Sequence, residues 1–176
     1  QSILKFLPKE ASITVFDEKD KEFPDLTGFE IIFRSPGVKP THTRIVEAKD
    51  KGIEITSATK VFFDLCPCEI VGVTGTKGKG TTSTLIYEML KKEGFYAFLG
   101  GNIVTPGLDF LNDLKSDSKV VLELSSFQLI DLEKSPHVGV MLMTTSEHLD
   151  YHEDVYEYIE AKRNIFRYQN ENDFAI

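Results

Sequence analysis

Residues 72–82 read GVTGTKGKGTT and continue an apolar stretch that opens at Glu69. Glycines, lysines and hydroxyl residues in this order can cradle an anion. Glycine lets backbone N–H groups approach a phosphate oxygen, a helix start supplies unpaired donors and the positive end of its dipole, and a lysine adds a point charge. A flexible surface turn needs none of that order. Here a buried strand precedes the run and the helical stretch TTSTLIYEML follows it, which is the context of a phosphate loop. Gly75, Thr76, Lys77, Gly78, Lys79, Gly80 and Thr81 are therefore the candidate phosphate-binding residues, with Lys79 as the charge. The match to G-x-x-x-x-G-K-[ST] is incomplete. Val73 stands at the first glycine's place, and Gly80 follows Lys79 where a magnesium-binding hydroxyl belongs, leaving that role to Thr81 or to water.

Four further residues have types and positions that could do chemistry. Glu123 ends the apolar run VVLE, where a carboxylate either emerges into solvent or, if buried, needs a cation. His148 follows another apolar strand and is open to a structural or a metal-binding role. Lys162 lies in EDVYEYIEAKRNIFRY, where Val155, Tyr158, Ile159, Lys162 and Phe166 share one helix face. An amine on an inward stripe either snorkels past the core edge or is buried, which lowers its pKa and frees the nucleophilic form. Asp17 ends SITVFD, a position that suits a simple strand cap or the ribose-binding acid of a dinucleotide-type fold.

These residues need a scaffold. Runs rich in β-formers (SITVFD, FEIIFRS, GIEIT, EIVGVTG, FYAFLG, KVVLELSS, HVGVMLMT, DFAI) alternate with helix-period segments, which predicts parallel sheets covered by helices. THTRIVEAKDKG has Thr41 or Thr43 as cap and Gly52 as stop, and TTSTLIYEMLKKEG closes in Lys91, Lys92 and Gly94. FFDLCPCE, interrupted by Pro67, reads as a linker, so the chain is divided into 1–66 and 67–176. SILKFLPKEAS reads as a helix without its preceding strand and DFAI as a strand with nothing after it, so the sequence is expected to be a fragment.

Composition narrows the function classes. The 176 residues are 41% hydrophobic and 27% charged, with a net charge of −8 and no Lys/Arg-dense tract. That argues for a globular protein and against a nucleic-acid or anionic-membrane surface. No apolar run approaches the roughly 20 residues of a membrane span and no signal-peptide pattern opens the chain, so a cytoplasmic location is expected. Cys66 and Cys68 flank Pro67, too close for an unstrained bridge, and are expected as reduced thiols.

In combination, several runs resemble the Mur ligase family: the tighter form G-T-x-G-K from Gly75 to Lys79, ELSSFQL at 123–129, SEHLDYH at 146–152 followed by EAK at 160–162, GGN at 100–102 and SPGV at 35–38. The resemblance implies a Rossmann-like N-terminal uridine-binding domain followed by part of a P-loop-type parallel-sheet central domain. It also implies an ATP-dependent, magnesium-dependent ligase of peptidoglycan precursor synthesis, hence of cell-wall biogenesis, cell shape and division. ELSSFQL resembles the members that join D-glutamate to UDP-N-acetylmuramoyl-L-alanine and argues against a folylpolyglutamate synthetase or a ligase adding another residue. In such an enzyme an acyl phosphate forms on the alanine carboxylate and the amine of D-glutamate displaces phosphate.

By the same resemblance Lys79, Glu123, His148 and Lys162 are catalytic. Glu123 binds magnesium facing the loop, with Thr81 or water; His148 and Lys162, the latter as a carbamate, hold a second magnesium. Asp17 and Gly37 fall in the uridine site, although Ser-Pro-Gly is also an ordinary turn. Asn102, Ser125, Phe127 and Gln128 line the muramoyl and diphosphate site. A monomer is implied. Met143 and Glu147 depart from the family's Asn and Asp. The first glycine-rich turn of the uridine domain is expected ahead of Gln1, and the remaining central domain and the D-glutamate-binding domain beyond Ile176, so the fragment alone should be inactive. A non-catalytic nucleotide-binding regulatory module with a degenerate loop is the competing reading that Gly80 permits; acyl-phosphate formation separates the two.

Overall fold

The computed structural model describes residues 2–17, 25–102 and 105–176. It divides into two compact units, Gln1–Ala58 and Thr59–Ile176.

In the first unit, α1 (Ser2–Phe6) stops ahead of Pro8, and β1 (Ile31–Phe33) pairs in parallel with β2 (Glu54–Thr56), joined by α2 (Thr43–Asp50). Leu26, Ile45 and Ala48 form the core, with Phe29, Ile32, Val38, Ile53 and Ile55 against them. The cap of α2 is not Thr41 or Thr43 but His42, whose Nδ1 accepts from the Arg44 N–H at 3.2 Å. The strand expected over SITVFD does not form. Residues 12–17 have no regular structure and are exposed, because no described neighbour offers them a ladder; Phe16 meets Phe29 edge to face instead.

The second unit is a five-stranded parallel sheet. Its strands are β3 (Glu69–Thr74), β4 (Ala97–Gly101), β5 (Lys119–Glu123), β6 (Val138–Met141) and β7 (Phe174–Ala175), in the order β4-β5-β3-β6-β7. The helices are α3 (Ala58–Leu65), α4 (Lys79–Lys92), the single turn α5 (Ser126–Leu129) and α6 (Val155–Arg167). The unbroken apolar run of β3 suits its central place, since a strand covered on both faces has no polar side to present. Val73, Val121 and Val140 meet at the core, with Ile86, Tyr87 and Leu90 of α4 packed on them. The strand register sets Val73 level with Glu123, and Glu123 level with Gly101. The phosphate-loop candidates, Glu123 and the GGN run therefore leave the sheet at the same edge.

The first half of the linker expected over 62–69 is helix, the end of α3. Phe62 and Phe63 of α3 are buried, the Phe62 ring lies 5.7 Å from that of Phe110, and Lys60 pairs with Asp131 at 3.4 Å. The division between units consequently falls at Ala58/Thr59 rather than near residue 67, since burying the two phenylalanines outweighs the break that Pro67 imposes. Cys66 and Cys68 are both free. No described helix is long and apolar enough to cross a membrane.

Phe62→Ala is expected to destabilise the second unit by about 3–5 kcal/mol, measured by denaturant unfolding. A change below about 1 kcal/mol would return α3 to the status of a linker.

Candidate active site

The loop between β3 and α4 begins at Gly75, with φ of 142°, and closes at Gly78, with φ of 87°, both in the region that suits glycine. A Cβ at Gly75 would lie 2.7 Å from that of Leu142, so the loop leaves the sheet in contact with the strand beside it. α4 begins at Lys79, two residues ahead of the expected start, which puts Lys79, Gly80 and Thr81 in its first turn. The loop thus joins a helix N-terminus in the phosphate-binding arrangement. Lys77, Gly78 and Thr81 are exposed.

Lys79 donates to two carbonyls of its own loop, Gly75 at 3.1 Å and Thr76 at 2.9 Å. Lys162, from α6, donates to the same Gly75 carbonyl at 2.9 Å and to Thr74 Oγ1 at 3.4 Å. The Thr74 hydroxyl donates onward to the Leu124 carbonyl at 2.8 Å. Lys162 is 2% exposed, and its Nζ sits 4.6 Å from the centre of the Tyr158 ring. Burial first, and then the charge of Lys79, bring its pKa from 10.5 down to about 8, against the pull of Glu147. Such an amine is neutral roughly 300 times more often at neutral pH than an ordinary lysine. Lys162 does not snorkel. The buried face of α6 is Tyr158, Ala161, Lys162 and Ile165, with Asn164 beside them. That face is rotated from the expected stripe, and Val155 is exposed.

Thr76 ties the loop to its surroundings. Its hydroxyl donates to the Thr145 carbonyl at 3.1 Å and accepts from the Thr145 N–H at 2.9 Å. With its one proton so used, it accepts from the Tyr158 hydroxyl at 3.0 Å. Thr76 N–H also donates to the Met143 carbonyl at 3.1 Å, so Met143 acts here through its backbone.

Glu123 is 1% exposed, and among the described residues neither carboxylate oxygen has a hydrogen-bond partner. A Cβ added at Gly80 would stand 3.1 Å from its Oε2, which places the carboxylate at the start of α4. A buried carboxylate without donors is a site for a hard cation with oxygen preference, and magnesium fits it. Among the described residues no three His, Cys, Asp or Glu side chains form a ready metal cage. A second cation would therefore depend on an oxygen ligand that unmodified Lys162 lacks. His148 has a left-handed backbone, with φ of 58°; its ring is exposed, packs 4.8 Å from that of Phe127 and lies 3.6 Å from Glu147.

The remaining predicted site residues separate into groups. Asn102 is exposed at the end of β4, its N–H donating to the Glu123 carbonyl at 3.0 Å. Ser125 and Gln128 form the capping box of α5, and Gln128 reaches Thr59 at 3.4 Å, so their polar atoms support the turn that displays Phe127. In the first unit Asp17 is exposed, and Gly37 lies in a turn closed by Val38 N–H onto the Ser35 carbonyl at 3.0 Å. Arg34, 3% exposed, braces that turn by donating to the Val38 carbonyl at 2.5 Å. Neither Arg34 nor His152 is singled out by the sequence. His152 is 1% exposed, with Nε2 2.9 Å from Ser126 Oγ and Nδ1 3.3 Å from Glu157. Burial lowers its pKa. The D-x-x-E pattern at 154–157, a helix-start signature, was the available signal that Glu157 folds back toward it.

Residues 73–176 match the model of the Mur ligase middle domain. A UDP-N-acetylmuramoylalanine–D-glutamate ligase of Acetivibrio thermocellus is 52% identical over 85% of this chain and 32% of its own length. The protein of that name from Clostridium botulinum is 39% identical over 99% of this chain and 43% of its own. The chain thus spans a third to two fifths of the curated relatives. Among solved structures, the MurF ligase of Thermotoga maritima in complex with ADP matches with a TM-score of 0.55 and 27% identity, over 82% of this chain and 35% of that one.

Lys162 provides a test of the buried charge. Its folded value of about 8 lies below the ordinary 10.5, so the folded chain bears the full cost of the ammonium below pH 8 and sheds it as pH rises from 8 to 10.5. Lys162→Met is therefore expected to stabilise the chain at pH 7 by up to about 3 kcal/mol, with the gain shrinking as pH approaches 10.5. Denaturant unfolding at several pH values checks this. A pH-independent loss of stability would mean that the ammonium is well solvated.

Proposed function

We propose, for a chain that belongs to the Mur ligase family, that it is the nucleotide-binding part of an ATP-dependent ligase joining D-glutamate to UDP-N-acetylmuramoyl-L-alanine in peptidoglycan precursor synthesis. The observation that carries the reading is Glu123: a carboxylate held out of water without a donor among the described residues, beside the glycine-rich loop. Relatives bearing that ligase name, at 52% and 39% identity, support the substrate assignment. The enzyme is read as a cytoplasmic monomer.

The chain's own residues divide the work. The loop N–H groups and the start of α4 bind and orient the ATP phosphates. Lys79 exchanges its two loop carbonyls for phosphate oxygens and stabilises the charge that develops as the γ-phosphoryl group passes to the alanine carboxylate. Glu123, with Thr81 or water, would hold magnesium, and His148 with Lys162 as its carbamate would hold a second; magnesium when bound would neutralise phosphate oxygens and draw charge from the leaving group. Lys162 is equipped for carbamate formation by its raised neutral fraction. Phe127 and Asn102 present apolar and amide surface to the UDP-sugar, backed by Ser125 and Gln128. Asp17 and Gly37 belong to the uridine site of the first unit.

Lys79→Ala in the full-length enzyme is expected to lower acyl-phosphate formation by about 10³-fold or more. Near-normal turnover would remove the phosphate-loop assignment. Lys162→Ala should likewise lose most activity and regain part of it in millimolar acetate, since a short carboxylate can supply the missing oxygen ligand. Wild-type turnover indifferent to acetate would end the carbamate assignment.

A further inference from the structure

In the first unit the turn at 35–38 is held from beneath by a charge. Arg34, directly after β1, is 3% exposed, whereas Ser35 and Gly37 of the turn are exposed. The Arg34 backbone N–H donates to the Thr56 carbonyl at 2.8 Å, continuing the β1–β2 pairing, so the point from which its side chain departs is fixed. Its Nη1 is gathered among carbonyls of the turn, donating to Val38 at 2.5 Å, Ser35 at 3.2 Å and Pro36 at 3.5 Å. Packing alone does not call for this, since an apolar side chain could fill the space without desolvating a cation. The orientation of the backbone is what the guanidinium adds. A trans peptide is planar, with its N–H opposite its carbonyl, so turning the Pro36 and Val38 carbonyls onto Arg34 aims the N–H groups of Gly37 and Lys39 away from it. Gly37 is not required by the fold: its φ lies outside the left-handed region, and a Cβ there would meet only Ser35 Oγ, at an ordinary 3.9 Å. The approach to that stretch of backbone is open.

We propose that Arg34 is a positioning residue for the uridine diphosphate moiety of the substrate: by drawing the turn's carbonyls inward it presents the Gly37 backbone, with a positive charge behind it, to an acceptor oxygen of that group. Gly37 makes the contact and Arg34 acts through it. The inference rests on the reading of the first unit as the uridine site.

The test uses the full-length enzyme, with UDP as the probe in calorimetry, steady-state kinetics beside it, and thermal melts to report folding. Arg34→Met keeps an apolar stem and removes the donors and the charge. Gly37→Ala adds a methyl group in front of the turn and leaves its path alone. Both are expected to weaken UDP binding, and to raise KM for the UDP-linked substrate, by about tenfold, with kcat and KM for ATP unchanged. Gly37→Ala should melt no lower than the unaltered enzyme, because its φ is outside the region that needs glycine. An Arg34 that only braces the fold predicts a different pattern: a lower melting temperature, a lower kcat and both KM values moving together. That pattern, or loss of the folded melt in Arg34→Met, overturns the proposal, as does unchanged UDP affinity in either variant. Failure of the unaltered enzyme to bind UDP removes the uridine-site reading and this inference with it.

Discussion

The carbonyl of Gly75 accepts hydrogen bonds from two lysines, Lys79 of α4 and Lys162 of α6. That shared acceptor joins the loop after the central strand to α4, which follows it directly, and to α6, far later in the chain. Burial first, and then the nearby charge of Lys79, lower the pKa of Lys162. The arrangement gathers two lysines at one loop carbonyl, with Lys79 also donating to the Thr76 carbonyl.

Around that point the packing is built to restrict movement. Thr74 and Thr76 spend their hydroxyls on Leu124, Thr145, Lys162 and Tyr158, so the loop is clamped to the ends of β5 and β6 and to α6. The turn that follows Glu123 is closed by the Ser125–Gln128 capping box and pinned to the start of α6 through Ser126, His152 and Glu157. Phe127, stacked on the His152 ring at 5.7 Å and tilted against His148 at 4.8 Å, is held by the same network. Polar groups buried in this way are stable only when satisfied. Glu123 is the exception at the site, with Asn164 Oδ1 the other unsatisfied buried side-chain atom described. Asn164 still anchors α6 by donating to the Leu129 and Ile130 carbonyls. Glu123 has no such compensation among the described residues.

Local sequence by itself determined the parts whose physics is local. The strand, glycine and helix order around Gly75–Lys79, the apolar run ending in Glu123, and a lysine on the inward side of α6 were all legible, because periodicity, glycine spacing and helix starts act over a few residues. The runs at 123–129 and 146–152 were specific enough to indicate the family. Only the tertiary structure decided how these pieces are used. SITVFD has strand composition but no ladder to join, and α3 is a helix of the second unit because Phe62 finds Phe110 far along the chain. The rotation of α6 that buries Ala161 and Ile165 in place of Val155, the burial of His152, and the approach of the Glu123 carboxylate to the start of α4 likewise depend on strand register and side-chain contacts across the fold. Pairing energy and desolvation arise between residues distant in sequence, so neither is written in any one segment.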